Sequence, residues 1–394
     1  MHEQLTRLYE LHKAAGARFA PFAGWLMPIQ YADGPKAEHH AVRTAAGLFD
    51  TSHMARFVVS GPDAAEALSS LISRDLRNMS PGHSTYALLT NEAGGVHDDL
   101  FIYRVDGISD MLSGNDGPTF LIVANASNAE KDYRILSAGL GARNTHISDV
   151  SRSYDMYALQ GPRALDIASA FLGVDHRLPE RFMISRREID PRSVAGDEPT
   201  GTGAGAIEIL VARTGYTGED GVELYVPAAL AEGVWKAIMR LGEPEGLKLC
   251  GLAARDSLRF EAGFALYGHE LREDIQPPQA RLSWACDMEH KFTGRDAIQS
   301  HPIRETMGLK LALLKMTEKA VPREGYGVLD TEDTRVGWVA SGMYSPTVDG
   351  YYANVFVPDG MVRLGTPFRI DVRGKFKWAE VIKRPLYKAA YRKE

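Results

Sequence analysis

Residues 213–223 read Arg-Thr-Gly-Tyr-Thr-Gly-Glu-Asp-Gly-Val-Glu. Three glycines within seven positions (Gly215, Gly218, Gly221) bend the backbone after an apolar run, 207–212, that reads as a strand. Val222, Leu224 and Val226 then resume an alternating strand, which places Glu223 on the opposite face. A carboxylate beside a tight turn suits paired N–H donors of a ligand. Taken alone, a glycine hairpin with a solvated Glu fits better, because this stretch matches no phosphate loop or metal site. A second acidic feature is Gly94-Gly-Val-His-Asp-Asp-Leu-Phe-Ile-Tyr103. Alternation puts Asp98, Leu100 and Ile102 on one face, and Asp99, Phe101 and Tyr103 on the other. Asp99 and Tyr103 then line a polar, aromatic cavity where partial desolvation helps a carboxyl hold or accept a proton. Taken alone, an Asp bonded to the backbone of its own turn fits better. In Leu252-Ala-Ala-Arg-Asp-Ser-Leu-Arg259, Arg255 and Arg259 share one helix face, as ligand-binding cations or as a surface salt-bridge ladder. Tyr216 and Trp284 are amphipathic rings suited to flank a flat ligand, or to fill core.

The elements that must position these groups follow from periodicity. Helical spacing marks 4–16, 37–46, 63–73, 126–138, 163–171, 228–241 and 253–262, most of them flanked by strands. A strand, Gly-Pro, helix unit occurs twice, at Arg56-Phe-Val-Val-Ser-Gly-Pro-Asp-Ala64 and Met156-Tyr-Ala-Leu-Gln-Gly-Pro-Arg-Ala164. Pro suits a first helical turn, and the repetition suggests two related α+β layers. Residues 106–119 and 191–205 lack periodicity and read as loops; Gly201-Thr-Gly-Ala-Gly205 is not GxGxxG and precedes a strand, so it is no dinucleotide site. From about residue 308 the texture changes to short strands at 308–315, 326–329, 335–341, 352–357, 367–372 and 378–383, which suggests a small all-β domain.

Composition narrows the function classes. The chain has 394 residues, enough for two or three domains, and a net charge of -6 from 45 basic and 51 acidic residues. That balance argues against nucleic-acid binding as the main task. Two cysteines, Cys250 and Cys286, form no metal-ligand spacing and fit a reducing compartment better than a disulfide. No segment approaches the roughly 20 apolar residues of a membrane span, and no leader pattern opens the chain, so the expectation is a soluble, cytoplasmic protein.

Further motifs complete an ordered set: Pro21-Phe-Ala-Gly-Trp25, Phe49-Asp-Thr-Ser-His-Met54, Leu159-Gln-Gly-Pro-Arg-Ala164, the helix beginning Cys250-Gly-Leu, Leu266-Tyr-Gly-His269 and Ser341-Gly-Met-Tyr-Ser-Pro346. With 94–103 and 213–223, in this order and spacing, the chain resembles the glycine cleavage T-protein (aminomethyltransferase) family from about Leu8 to Tyr391. The resemblance implies an α+β fold: a three-domain cloverleaf of two related α+β domains and a C-terminal small β-barrel-like domain around a central folate channel. The domains would be 1–55 with 150–290, 56–149, and 305–394. It implies tetrahydrofolate as cosubstrate and a lipoylated carrier, the H-protein, as partner. It makes Asp99 the catalytic carboxylate and places Met54, Tyr103, Tyr216, Glu223, Arg255, Trp284 and Tyr391 around the folate. Two positions depart from the pattern: His97, where the family is usually apolar and which is expected to face solvent, and Ala55, where it usually has glycine. Alternatives on the same fold are a tetrahydrofolate-dependent demethylase of a small methylated donor and a non-enzymatic folate-binding helper. The helper's Lys-Gly-Cys-Tyr type signature is absent, since Cys250 sits in Leu-Cys-Gly-Leu.

Overall fold

The computed structural model describes residues 3–108, 112, 117–141, 143–173, 177–190, 194 and 207–389. The chain opens with helix α1 (Tyr9–Ala14) and a hairpin of β1 (Arg18–Phe22) and β2 (Trp25–Gln30). Helix α2 (Gly34–Thr44), with Pro35 in its first turn, leads into β3 (Ala46–Asp50). A tight turn at 51–54 then crosses to a second sheet. There the chain runs through β4 (Ala55–Ser60), α3 (Ala64–Leu71), β5 (Ser84–Thr90), β6 (Val96–Arg104), β7 (Thr119–Ala124), α4 (Ala129–Leu140) and β8 (His146–Asp149). It returns through 150–153 to β9 (Tyr154–Gln160), α5 (Ala164–Leu172), β10 (Ile184–Ile189), β11 (Ile207–Ala212), β12 (Gly221–Pro227), α6 (Ala231–Gly242), β13 (Leu247–Leu249) and α7 (Leu252–Ala262). Short helix α8 (Arg295–Ser300) precedes β14 (Leu309–Met316), β15 (Gly327–Leu329), β16 (Arg335–Ser345), β17 (Gly350–Pro358), β18 (Pro367–Val372) and β19 (Lys375–Ile382).

Three sheets organise the molecule. Antiparallel β5-β6-β7-β4-β8 form one, and β10-β11-β12-β9-β3-β13 form another, parallel only at β13–β3. Strands β14-β17-β16-β15-β18-β19 close into a barrel. The α+β fold with a C-terminal barrel expected from the sequence is the fold observed. Closure pairs every strand edge, which removes the exposed edges an open sheet of short strands would leave.

Each α+β sheet is apolar on both faces, for two different reasons. Phe57, Val59, Leu100 and Ile102 pack under α3 and α4, and Tyr157, Leu159, Val222 and Leu224 pack under α5 and α6. The alternate residues face the other sheet: Val58, Tyr103, Leu121 and Val123 meet Met156, Leu210, Ala212 and Tyr225. Both Gly-Pro turns have the same geometry, with Gly61 at φ 126° and Gly161 at φ 129°. An added Cβ would lie 2.4 Å from the Asn144 carbonyl oxygen at Gly61 and 2.6 Å from that of Ala45 at Gly161. Glycine is therefore required twice, by backbone angle and by close approach.

Several boundaries differ from the periodicity. Gln4 bridges to Trp25 instead of starting a helix, so α1 begins at Tyr9. Residues Ala126–Asn128 and Ala228–Leu230 are single 3₁₀ turns that delay α4 and α6 by three residues. The hairpin β1–β2 carried no alternation strong enough to read. Half of loop 106–119 and all but residue 194 of 191–205 lie outside the described residues. Among the described residues no helix is long and apolar enough to cross a membrane.

Candidate active site

The turn before β6 is held by glycine: a Cβ on Gly95 would sit 1.8 Å from the Glu273 carbonyl oxygen. From there β6 alternates as the sequence requires. Asp98 is fully buried toward α4, while Asp99 faces the opposite way and keeps partial exposure. The Asn125 side chain brackets the two carboxylates. Its Nδ2 donates to Asp98 Oδ1 and to Asp99 Oδ1, both at 2.8 Å, and its backbone N–H donates to Asp98 Oδ2 at 3.0 Å. Asn128 Nδ2 donates to Asp98 at 2.7 Å, and the Tyr86 hydroxyl donates to Asp99 Oδ2 at 3.1 Å. Burial, and then the neighbouring charge of Asp98, push the Asp99 carboxyl from 3.8 up to about 7. Burial also raises Asp98. Behind it Asp132, on α4, is buried; burial, then the charge of Asp98 and a hydrogen bond to it, push the Asp132 carboxyl up to about 10, so it is protonated at neutral pH.

The six-stranded sheet contributes the facing side. Arg213 and Asp220 close the glycine turn with contacts of 3.1 and 2.6 Å. Gly215 and Gly221 are dictated by packing as much as by bending: a Cβ on Gly215 would stand 1.9 Å from Gln160 Oε1, and one on Gly221 2.3 Å from the Leu159 carbonyl oxygen. Gln160 Nε2 in turn holds the Thr214 carbonyl at 3.0 Å, and Thr217 donates to Gln160 Oε1 at 3.0 Å. Beyond the turn Val222, Leu224 and Val226 enter the core under the helices, and Glu223 stands on the face turned toward β6. Its Oε2 accepts from Thr214 Oγ1 at 2.6 Å and from the Tyr103 hydroxyl at 3.2 Å. Its Oε1 takes no donor among the described residues. Tyr103 is fully buried and also reaches Thr214 at 2.8 Å, so it ties the two sheets together at the site.

Helix α7 adds Arg255, whose guanidinium lies 4.9 Å from the centre of the Tyr216 ring. Tyr216 stacks on Phe264 at 5.6 Å and 18°, and its hydroxyl donates to the Ala265 carbonyl. The Arg255 guanidinium forms no hydrogen bond or ion pair among the described residues, and burial lowers its pKa. Arg259 is different: it is 1% exposed and pairs with Glu270 at 2.9 Å and Asp256 at 2.8 Å, so a surface ladder of the two arginines is ruled out. Met54 packs, partly buried, into the cluster of Tyr103 and Tyr225. His53 before it is buried, its Nδ1 without a hydrogen-bond partner among the described residues; burial, then the Arg255 charge, push it down to about 3, so it is neutral at working pH.

The structure thus brings Met54, Tyr103, Glu223, Tyr216 and Arg255 together, with Asp99 on the same strand, two residues from Phe101 and four from Tyr103. Trp284 stands apart, 61% exposed, stacked on Tyr86 at 5.5 Å and 25°. It reaches Asp99 only through Tyr86. His97 is partly exposed and turns to Glu273 at 3.0 Å, away from Asp99. Tyr391 lies outside the described residues. Tyr86 and Asn125 were not singled out in the sequence; Tyr86 sits in an ordinary alternating strand, and Asn125 reads only as a helix-capping residue. Two surface grooves are found elsewhere, about 480 Å³ beside Leu71, Asn91 and His97, and about 560 Å³ beside Tyr31, Glu38 and Lys248. Neither is lined by Asp99, Glu223 or Arg255. The convergence of open polar groups from two sheets favours the interior cluster as the site.

The cluster offers a half-titrated carboxyl, an open carboxylate oxygen and an unpaired guanidinium among aromatic rings. Comparisons with known proteins give the chain's family. The family model described as the GCVT N-terminal domain matches residues 8–290, and that of the glycine cleavage T-protein C-terminal barrel domain matches 309–388. An aminomethyltransferase of Prosthecochloris aestuarii is 39% identical over 98% of this chain and 99% of its own length. One of Desulforamulus reducens is 38% identical over 97% of this chain and 98% of its own. The crystal structure of the glycine cleavage system aminomethyltransferase T from Bartonella henselae superposes with a TM-score of 0.82 at 32% identity, covering 98% of each chain. The chain belongs to the glycine cleavage T-protein family.

Proposed function

We propose that this chain, an aminomethyltransferase, moves the aminomethyl carbon from the lipoyl arm of a carrier, the H-protein, to tetrahydrofolate with release of ammonia. The reading treats the chain as three domains, 1–55 with 150–290, 56–149, and 305–394; the membership of the three sheets supports this division. The observation that carries the functional reading is the set of groups left open in the cluster. Glu223 Oε1 accepts nothing and the Arg255 guanidinium donates nothing among the described residues, while Thr214 and Tyr103 hold Glu223 in place. A pterin offers a matching edge of N–H donors beside ring acceptors. Glu223 would take that amino edge by paired, charge-assisted hydrogen bonds. Arg255 and Tyr216 would flank the ring system, and Met54 would pack against it.

Tetrahydrofolate, when bound, supplies the amine that takes up the carbon. The chain's own residues orient and move protons. Asp99, fixed on both oxygens by Tyr86 and Asn125, has a pKa near neutrality and would accept or return a proton at its carboxylate. Orientation is the larger part of the rate, since no covalent nucleophile is required. Calorimetric titration tests the reading: tetrahydrofolate should bind the wild type, and Arg255→Ala and Glu223→Gln should each weaken it. Unchanged affinity in both variants would return Glu223 to the role of a structural hairpin carboxylate.

A further inference from the structure

The chain passes between the two α+β sheets twice, outward at 51–54 and back at 150–153. One side chain holds both passages. Arg56, at the start of β4, is fully buried. Its Nη1 donates to the Met54 carbonyl at 2.6 Å, and its Nη2 donates to the Ser52 carbonyl at 3.1 Å and to the Ser151 carbonyl. Its backbone N–H donates to Ser151 Oγ at 2.9 Å, and Nε has no partner among the described residues. The charged and titratable groups facing it are Asp50, Asp149, Asp155, Tyr225 and His53, and none of them takes a hydrogen bond from the guanidinium.

A surface loop needs no buried guanidinium, and burying one against carbonyls alone is costly. The geometry gives it a purpose. Asp99 is carried by the five-stranded sheet, and Glu223 and Arg255 belong to the other half. Their relative position depends on how the crossings are fixed and on the Tyr103–Glu223 contact. The outward crossing also presents His53 and Met54. We infer that Arg56 is a positioning residue that sets the spacing between the two halves of the site by clamping both crossings. The inference rests on the functional reading above for its kinetic consequences, and on the hydrogen bonds alone for the clamp.

Arg56→Lys keeps the buried charge but loses the forked donors that span two crossings. On folded protein it should lower kcat about tenfold or more, because small misplacements of reacting groups are expensive. It should raise the KM for tetrahydrofolate several-fold and leave the KM for lipoylated carrier nearly unchanged. A variant with a lower melting temperature but wild-type kcat and KM would reduce Arg56 to a structural residue and overturn the inference. A second measurement needs no variant. Hydrogen exchange on the wild type should show tetrahydrofolate slowing the amides of 51–54 and of 151–153 together. Protection confined to one crossing would contradict the clamp. If the wild type transfers no aminomethyl carbon at all, the functional reading fails, and exchange together with tetrahydrofolate affinity in Arg56→Lys still decides the clamp.

Discussion

Asp99 illustrates how a site residue is destabilising for a physical reason. Its pKa stands at about 7 against an ordinary 3.8, raised by burial and by Asp98. Between those two values the folded chain binds more protons than the unfolded one, so stability falls as pH rises through that window, and the full penalty is present above about 7. Asp99→Asn should therefore raise the melting temperature more at pH 8 than at pH 4, measured by scanning calorimetry. The same variant should cost at least about a hundredfold in turnover, the usual scale for a positioned acid or base. Wild-type turnover should rise as pH passes through the Asp99 pKa. Asp98→Asn should cost less activity and more stability, because Asp98 accepts three hydrogen bonds and faces the core. Glu223→Gln should weaken tetrahydrofolate binding by about 1.5–3 kcal/mol, the value of a hydrogen bond to a charged group. The parity of Asp99 and Glu223 was legible in the sequence, because strand alternation is local. Tyr86 and Asn125 were not, because they come from other strands that only the fold brings near.

At the scale of elements, the glycine turn before β12 is set by what packs against it. Gly215→Ala would drive a methyl group into Gln160, displacing the side chain that holds the Thr214 carbonyl. Overpacking of this kind costs about 1–3 kcal/mol, and chemical denaturation should read it. Tetrahydrofolate affinity should fall with it, since Thr214 also anchors Glu223. The two strand, Gly-Pro, helix units were readable because positive-φ glycine and a proline in the next position leave few alternatives. Helix starts were read less well. The 3₁₀ turns at Ala126–Asn128 and Ala228–Leu230 continue the apolar spacing without the α-helical hydrogen bonds.

At the scale of the molecule, the barrel is joined to the rest by buried charge. Glu261, on α7, accepts from Arg43 Nη2 at 3.1 Å, from the Thr347 backbone N–H at 3.0 Å and from the Ser345 hydroxyl, and lies 3.1 Å from His39 Nε2. His39, then the Ser345 and Thr347 donors, outweigh burial and hold its carboxyl at about 2. Stability from Glu261 is thus present above its unfolded pKa and lost as pH falls toward about 2. Glu261→Gln should destabilise the chain by about 3 kcal/mol at pH 7, the cost of leaving a buried partner uncompensated, and by less at pH 3. The barrel's strands were visible from their spacing. Their closure pairs β14 with β19 across more than 60 residues, and the hydrogen bonds that seat the barrel on Glu261 come from residues more than 80 positions away, which periodicity does not encode.

In the proposed mechanism the two sheets form one site for carbon transfer from a lipoylated carrier to tetrahydrofolate. Its most direct measurement is the formation of 5,10-methylenetetrahydrofolate and ammonia from aminomethyl-lipoylated H-protein, run beside dimethylsulfoniopropionate and methylated glycines. Turnover should saturate with the carrier, be negligible with the small donors, and be lost in Asp99→Asn. Rapid methyl transfer from a small donor with no response to the carrier would contradict it.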